Sequence, residues 1–220
     1  MVKNFFWWFY IDMNIDSISF GAIPINKVTI KKWNKTTNKF TNYPVSFVKI
    51  DADNKSDLEA VYKTSLKWKA RKEAKYIQPI STSSQWLKGN PIDVYALTLQ
   101  SDKFENLQAG GILGFAEMRE DEAEQGIHLL NFLQVRPNAM NVNQKYKVIY
   151  KHIGSGILTS LKKIYNRIHL HSENDENVEK FYQKNGFIDD YKGSMHYTWD
   201  RNPFKRFLLR IKKFRLEKGI

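Results

Sequence analysis

Apolar positions fall into regular stretches from Pro44 onward. Residues 45–50 alternate as a strand does, 51–56 are a polar turn, and Leu58, Val61, Tyr62 and Leu66 recur at helical spacing from near Asp57. Residues 92–99 and 111–118 read as two strands parted by a polar turn over 100–108. The stretch 126–135 is apolar almost throughout, the pattern of a strand buried on both faces. After Pro137 comes a loop over 138–143, then a glycine-opened amphipathic helix over 153–165 with Ile157, Leu158, Leu161 and Ile164 on one side. A short strand over 168–171, a helix over 177–185 closed by Gly186, and a strand over 195–199 complete the series. Helices that punctuate strands predict an α/β, or mixed α+β, class.

Residues 1–44 are rich in Asn, Lys and aromatics with weak periodicity, and 34–38 read as a turn between two short extended pieces. The expected organisation is therefore an N-terminal extension over 1–44, a domain over 45–199 and a basic tail over 200–220.

Composition narrows the chemistry. The 220 residues are 42% hydrophobic, enough for one domain with a sizeable core. They include no cysteine, which removes disulfides, thiolate metal sites, cysteine nucleophiles and dithiol redox chemistry. A reducing, cytoplasmic setting is the expectation. No run of 18 apolar residues predicts a transmembrane helix. The aromatic stretch 5–11 lacks a small-x-small cleavage site behind it and reads as an element packed on the body. Of the net charge of +12, residues 201–220 carry +7, with eight Lys or Arg against Glu217 alone. The question of an anionic partner is thus mostly a question about the tail.

The most informative stretch is Lys151-His152-Ile153-Gly154-Ser155-Gly156 just before a helix. Two glycines one residue apart let the backbone turn tightly, and the helix adds unpaired N–H groups and the positive end of its dipole. The product is an anion site suited to a phosphate or pyrophosphate; the plainer reading, glycines that merely accommodate a turn, stays open. A P-loop fails for want of Lys after Gly156, and a dinucleotide fingerprint fails because Thr159 stands where a third small residue is needed.

Upstream lies Leu133-Gln134-Val135-Arg136-Pro137, and downstream Asn174, then Tyr182 followed by Gly186-Phe187. Leu-x-Val-x-Pro, basic-x-x-Gly-x-Gly, a short strand and Tyr-x-x-x-Gly-Phe, in that order, resemble the GNAT superfamily of acyl-CoA-dependent N-acetyltransferases. The motifs span about residues 126–187 and the element order about 45–199. The resemblance implies a central mixed, mostly antiparallel sheet flanked by helices, acetyl-CoA as co-substrate without a metal, and a small-molecule or peptide amine as acceptor. It implies that backbone amides of Leu133, Gln134 and Val135 meet the acetyl carbonyl and pantetheine arm. Lys151, His152, Ile153, Gly154, Ser155 and Gly156 would wrap the pyrophosphate, with Asn174 near the pantetheine. Tyr182 would be the general acid at the thioester sulfur.

Two departures stand out. The loop between Pro137 and Lys151 is long, and the buried strand carries no Asp or Glu. Candidates for the general base are therefore Glu117 and His128, with Asn131 able to position a water but not to take the proton. His169 and His171 share a strand face, but no further ligand is nominated for a metal. The acceptor would be chosen by residues 57–90, the long loop and the C-terminal strands. In the tail, Phe204, Phe207, Leu208 and Ile211 form a helical stripe with Arg206, Arg210 and Lys213 opposite. It fits docking on its own domain or in a homodimer, an anionic membrane surface, or nucleic-acid phosphates without sequence readout. The alternative to an enzyme is a GNAT-like binding module acting through this tail on a membrane surface or RNA.

Overall fold

The computed structural model describes residues 21–51, 54–68, 92–99, 107–121, 125–136, 149–172, 175–191 and 194–219. Asn174, most of the long loop and most of the segment expected to choose the acceptor lie outside the described residues. In chain order the elements are β1 (Ile23–Asn34), β2 (Lys39–Lys49), α1 (Lys55–Lys67), β3 (Ile92–Thr98), β4 (Ile112–Glu120), β5 (His128–Val135) and β6 (Tyr150–Lys151). There follow α2 (Ile153–Ile164), β7 (Arg167–His171), α3 (Glu176–Lys184), β8 (Ile188–Asp189), β9 (His196–Asp200) and α4 (Pro203–Lys218).

The strands form one sheet in the order β6-β1-β2-β3-β4-β5-β7-β9-β8. Every pairing is antiparallel except β5 with β7. This is the mixed, mostly antiparallel α/β arrangement expected. Successive strand residues point to opposite faces, so Phe47 and Tyr95 pack beneath α2 with Leu97, Met118, Leu158 and Leu161. Their neighbours Val48 and Ala96 pack beneath α1 with Leu58, Val61 and Phe115. The helices form where the caps place them. Asn54 accepts the Asp57 N–H at 3.1 Å to start α1, Asp175 accepts those of Asn177 and Val178 to start α3, and Gly186 leaves α3 at φ +78°.

Three expectations change. The boundary placed at 44/45 falls inside β2, because β1 and β2 form one long hairpin in which Val28 pairs with Val45 and Ile30 with Tyr43. The turn was legible: Asn34 Oδ1 accepts the Thr36 and Thr37 N–H groups, and Asn38 turns at φ +52°. Leu66 is exposed rather than inside, since Thr64, Ser65 and Trp68 take the inner side of α1 and Trp68 stacks on Phe115 at 5.7 Å. On α4, Arg206 and Lys213 face the body, and Phe204, Phe207 and Leu208 are exposed. The polar ties of that helix lie on its inner side, where buried Asp189 and the Asp200 carbonyl offer oxygens.

Candidate active site

β5 pairs with β4 along its whole length, but with β7 only over His128–Leu130. The cause is local. Leu130 lies opposite Met118 and Phe132 opposite Glu117, so Asn131 is one residue too many in β5. Such a bulge bends its strand and sharpens the twist. Beyond it, the edge of β5 that faced β7 has no strand beside it among the described residues.

The start of α2 stands behind this opening. His152 precedes the helix at φ +69° and its side chain makes no cap, so the first-turn N–H groups of Ile153, Gly154 and Ser155 have no acceptor within the helix. The Gly156 N–H is bonded to the His152 carbonyl at 2.9 Å. The turn is thus made by a histidine, and the two glycines serve another purpose. A Cβ at Gly154 would lie 2.9 Å from Phe181 Cζ and 3.5 Å from Val135 Cγ1, and one at Gly156 would lie 2.8 Å from Val28 Cγ1. Glycine here lets the positive end of α2 approach the end of β5, the side of α3 and strand β1 at once.

The predicted residues distribute as follows. Leu133, Gln134 and Val135 occupy the part of β5 that, among the described residues, pairs with β4 alone, and Gln134 Oε1 is buried there without a partner. Lys151 lies on β6 opposite Lys31, its ammonium 4.2 Å from the Phe40 ring centre. Tyr182 is half-buried on α3, its ring among Phe181, Phe187 and Tyr197 at 5.1–5.7 Å. Burial, with the Tyr197 hydroxyl nearby, pushes its phenol up to about 12, so it stays protonated at neutral pH. Glu117 is buried on β4, 7% exposed, and accepts a hydrogen bond from Asn131 Nδ2 at 3.0 Å. Desolvation raises its pKa, with the Asn131 bond and Arg119 pulling the other way. Since Phe115 two residues earlier packs under α1, Glu117 looks to that side of the sheet, whereas Tyr182 packs with the core on the α2 side.

His128 is not brought to this place. It sits at the other end of β5, about 16 Å from Leu133 along the strand, with its ring 4.3 Å from that of Tyr165. His171 meets His196 across β7 and β9 at 4.5 Å, and among the described residues no group of three His, Asp or Glu is placed to hold a metal. Sequence reasoning missed the bulge and Phe181. The signal for the bulge was present: Asn131 interrupts an otherwise apolar half-strand.

The residues fit a long ligand with an anionic end. Among the described residues, the edge of β5 past the bulge has no strand beside it, and the side chain of His152 leaves the first-turn N–H groups of α2 uncapped. No protein-family model matches the sequence, and no curated protein matches it. Solved structures similar to it include a protein assigned to the GNAT acetyltransferase family from Desulfovibrio desulfuricans, 12% identical, covering 72% of this chain and 99% of that one, with a TM-score of 0.47. An acetyltransferase from Thermus thermophilus is 13% identical over 66% of this chain and 92% of its own, with a TM-score of 0.44. A structure of AtaTR bound with AcCoA is 12% identical over 76% and 98%, with a TM-score of 0.45.

Proposed function

We propose that the protein transfers the acetyl group of acetyl-CoA to a primary amine by direct attack in a ternary complex. The observation that carries this is the opening between β5 and β7 just past the Asn131 bulge, with the uncapped start of α2 behind it. A strand edge that offers free N–H groups can hold a carbonyl and a peptide-like pantetheine arm, and a helix N-terminus with Lys151 beside it can hold a pyrophosphate. Acetyl-CoA supplies the thioester carbonyl that the amine attacks.

The chain supplies the proton traffic. A free amine near pKa ~10.4 is mostly protonated at neutral pH, so a base must accept its proton. Glu117 does so from the α1 side, directly or through a water, with Asn131 fixing one of its oxygens. Unpaired N–H groups on β5 stabilise the developing oxyanion. Tyr182, kept neutral by burial, gives its proton to the departing thiolate from the α2 side. Acid and base stand on opposite faces of the sheet, and the strand opening is where the two substrates meet.

The test is CoA release measured with a thiol reagent across a panel of amines, an assay without protein background because the chain has no cysteine. Thermal shifts with acetyl-CoA, CoA and NAD accompany it. Stabilisation by the CoA species alone is expected, approaching about 2.7 kcal/mol at a hundredfold excess over Kd. Tyr182→Phe should lower kcat by about tenfold or more while KM for acetyl-CoA hardly changes. No shift with either CoA species would sink the reading.

A further inference from the structure

The tail helix is built inside out for a helix whose only partner is its own domain. Its inner side carries polar ties: Arg206 Nη1 donates to the Asp200 carbonyl at 2.7 Å, and Lys213 Nζ lies 2.5 Å from Asp189 Oδ1. Its outer side is apolar from Phe204 to Phe214, and Arg215 and Lys218 continue the same side at the C-terminal end. At 100° per residue Phe204, Phe207, Leu208, Ile211 and Phe214 share that side, and Phe204, Phe207, Leu208 and Phe214 are 64%, 56%, 46% and 55% exposed. Cations line both margins of the stripe, Arg210 on one and Lys205 with Lys212 on the other. The helix's one acid, Glu217, lies off the stripe, 3.7 Å from Lys213 Nζ.

Along the Lys205–Lys212 margin runs a cleft of about 330 Å³ lined by Arg167, Asp200, Lys205, Leu208, Leu209 and Lys212. Its acid is already engaged, since Asp200 accepts the Asn202 N–H at 2.8 Å and lies 3.8 Å from Arg167 Nε. Lys205 and Lys212 have no acidic partner among the described residues, so the cleft presents net positive charge beside an apolar ridge.

We propose that α4 seats the protein on an anionic phospholipid surface, the phenylalanine stripe entering the acyl boundary while Lys205 and Lys212 hold headgroup phosphates. Apolar residues flanked by cations match a surface that is apolar within and anionic at its rim. A nucleic acid would engage the lysines but leave the phenylalanine side in water. A second copy docking through α4 would set the same positive charge against itself.

Co-sedimentation of the full chain with vesicles tests this. The vesicles are phosphatidylcholine alone or with about 30 mol% phosphatidylserine, in about 0.1 M and 0.5 M salt. Binding at least about tenfold tighter to the anionic vesicles, weakened by salt, is expected. F207S/F214S and, separately, K205E/K212E should each lower it about tenfold or more, with thermal midpoints kept because all four side chains lie at the surface. Failure to bind anionic vesicles, or binding indifferent to F207S/F214S, overturns the proposal. So would a homodimer dissolved by F207S/F214S, or a single-stranded RNA that competes the vesicles off without needing the phenylalanines.

Discussion

At Glu117 the fold buries a carboxyl where ionising it is costly, and the proposed reaction gives that cost a use. Burial raises the pKa of this carboxyl above the ordinary range near ~4.3, which strengthens it as the base of the proposed reaction. As pH falls through the raised value the base is protonated, so kcat/KM should fall on that acid limb. Glu117→Gln should lower kcat about 100-fold or more and flatten the limb, in a pH series of CoA release. Stability runs the other way. Because the folded state holds this proton more tightly than the unfolded state does, folding is favoured on acidification through the folded pKa and loses that contribution above it. The amide oxygen introduced by Glu117→Gln can still accept from Asn131, so the variant should melt no lower than the parent at neutral pH. A drop of several degrees there would show that Glu117 is structural.

Between elements, close approach decides more than capping does. A Cβ on Gly114 of β4 would lie 2.8 Å from Ile157 Cδ1 and 2.9 Å from the Gln134 carbonyl oxygen. The isoleucine can shift, but the carbonyl is the backbone of the neighbouring strand and cannot. Gly114→Ala should therefore cost about 1–3 kcal/mol, whereas Gly110→Ala, with nothing within 4 Å of the new carbon, should stay within about 0.5 kcal/mol. Denaturant melts of the two variants check the pair. The same physics set what was legible in the sequence. Apolar periodicity marked the course of β3, β4 and α2, because those elements bury a face, while an apolar run marked β5 and the closing Gly186 marked α3. Gly154 and Gly156 were visible as glycines, but their purpose was not, since it lies in Phe181 and Val28, far along the chain. The bulge at Asn131 escaped because periodicity counts faces and an extra residue breaks the count.

Over the whole molecule, the surprise is that the N-terminal hairpin borders the candidate site. β1 offered little periodicity because its inner face mixes Val28 and Ile30 with polar residues, Asn26 donating to Ser160 Oγ of α2 at 3.2 Å. Yet β6, the two residues that lead into α2, pairs with β1 at Lys31 and Lys32, and the Trp33 N–H binds the Ile149 carbonyl at 2.8 Å. Gly156 presses on Val28 and Ile30 from the same helix turn. The N-terminal end of α2 is thus fastened on one flank by β5 and α3 and on the other by the hairpin. A chain beginning at Val45 would lose β1 and half of β2, uncover Phe47 and Leu97, and leave β6 without a partner. It should show no cooperative melt and no stabilisation by acetyl-CoA, where the full chain shows both. Cooperative melting of the shortened chain with undiminished acetyl-CoA affinity would return the domain boundary to residue 45 and leave the hairpin without a part in the site.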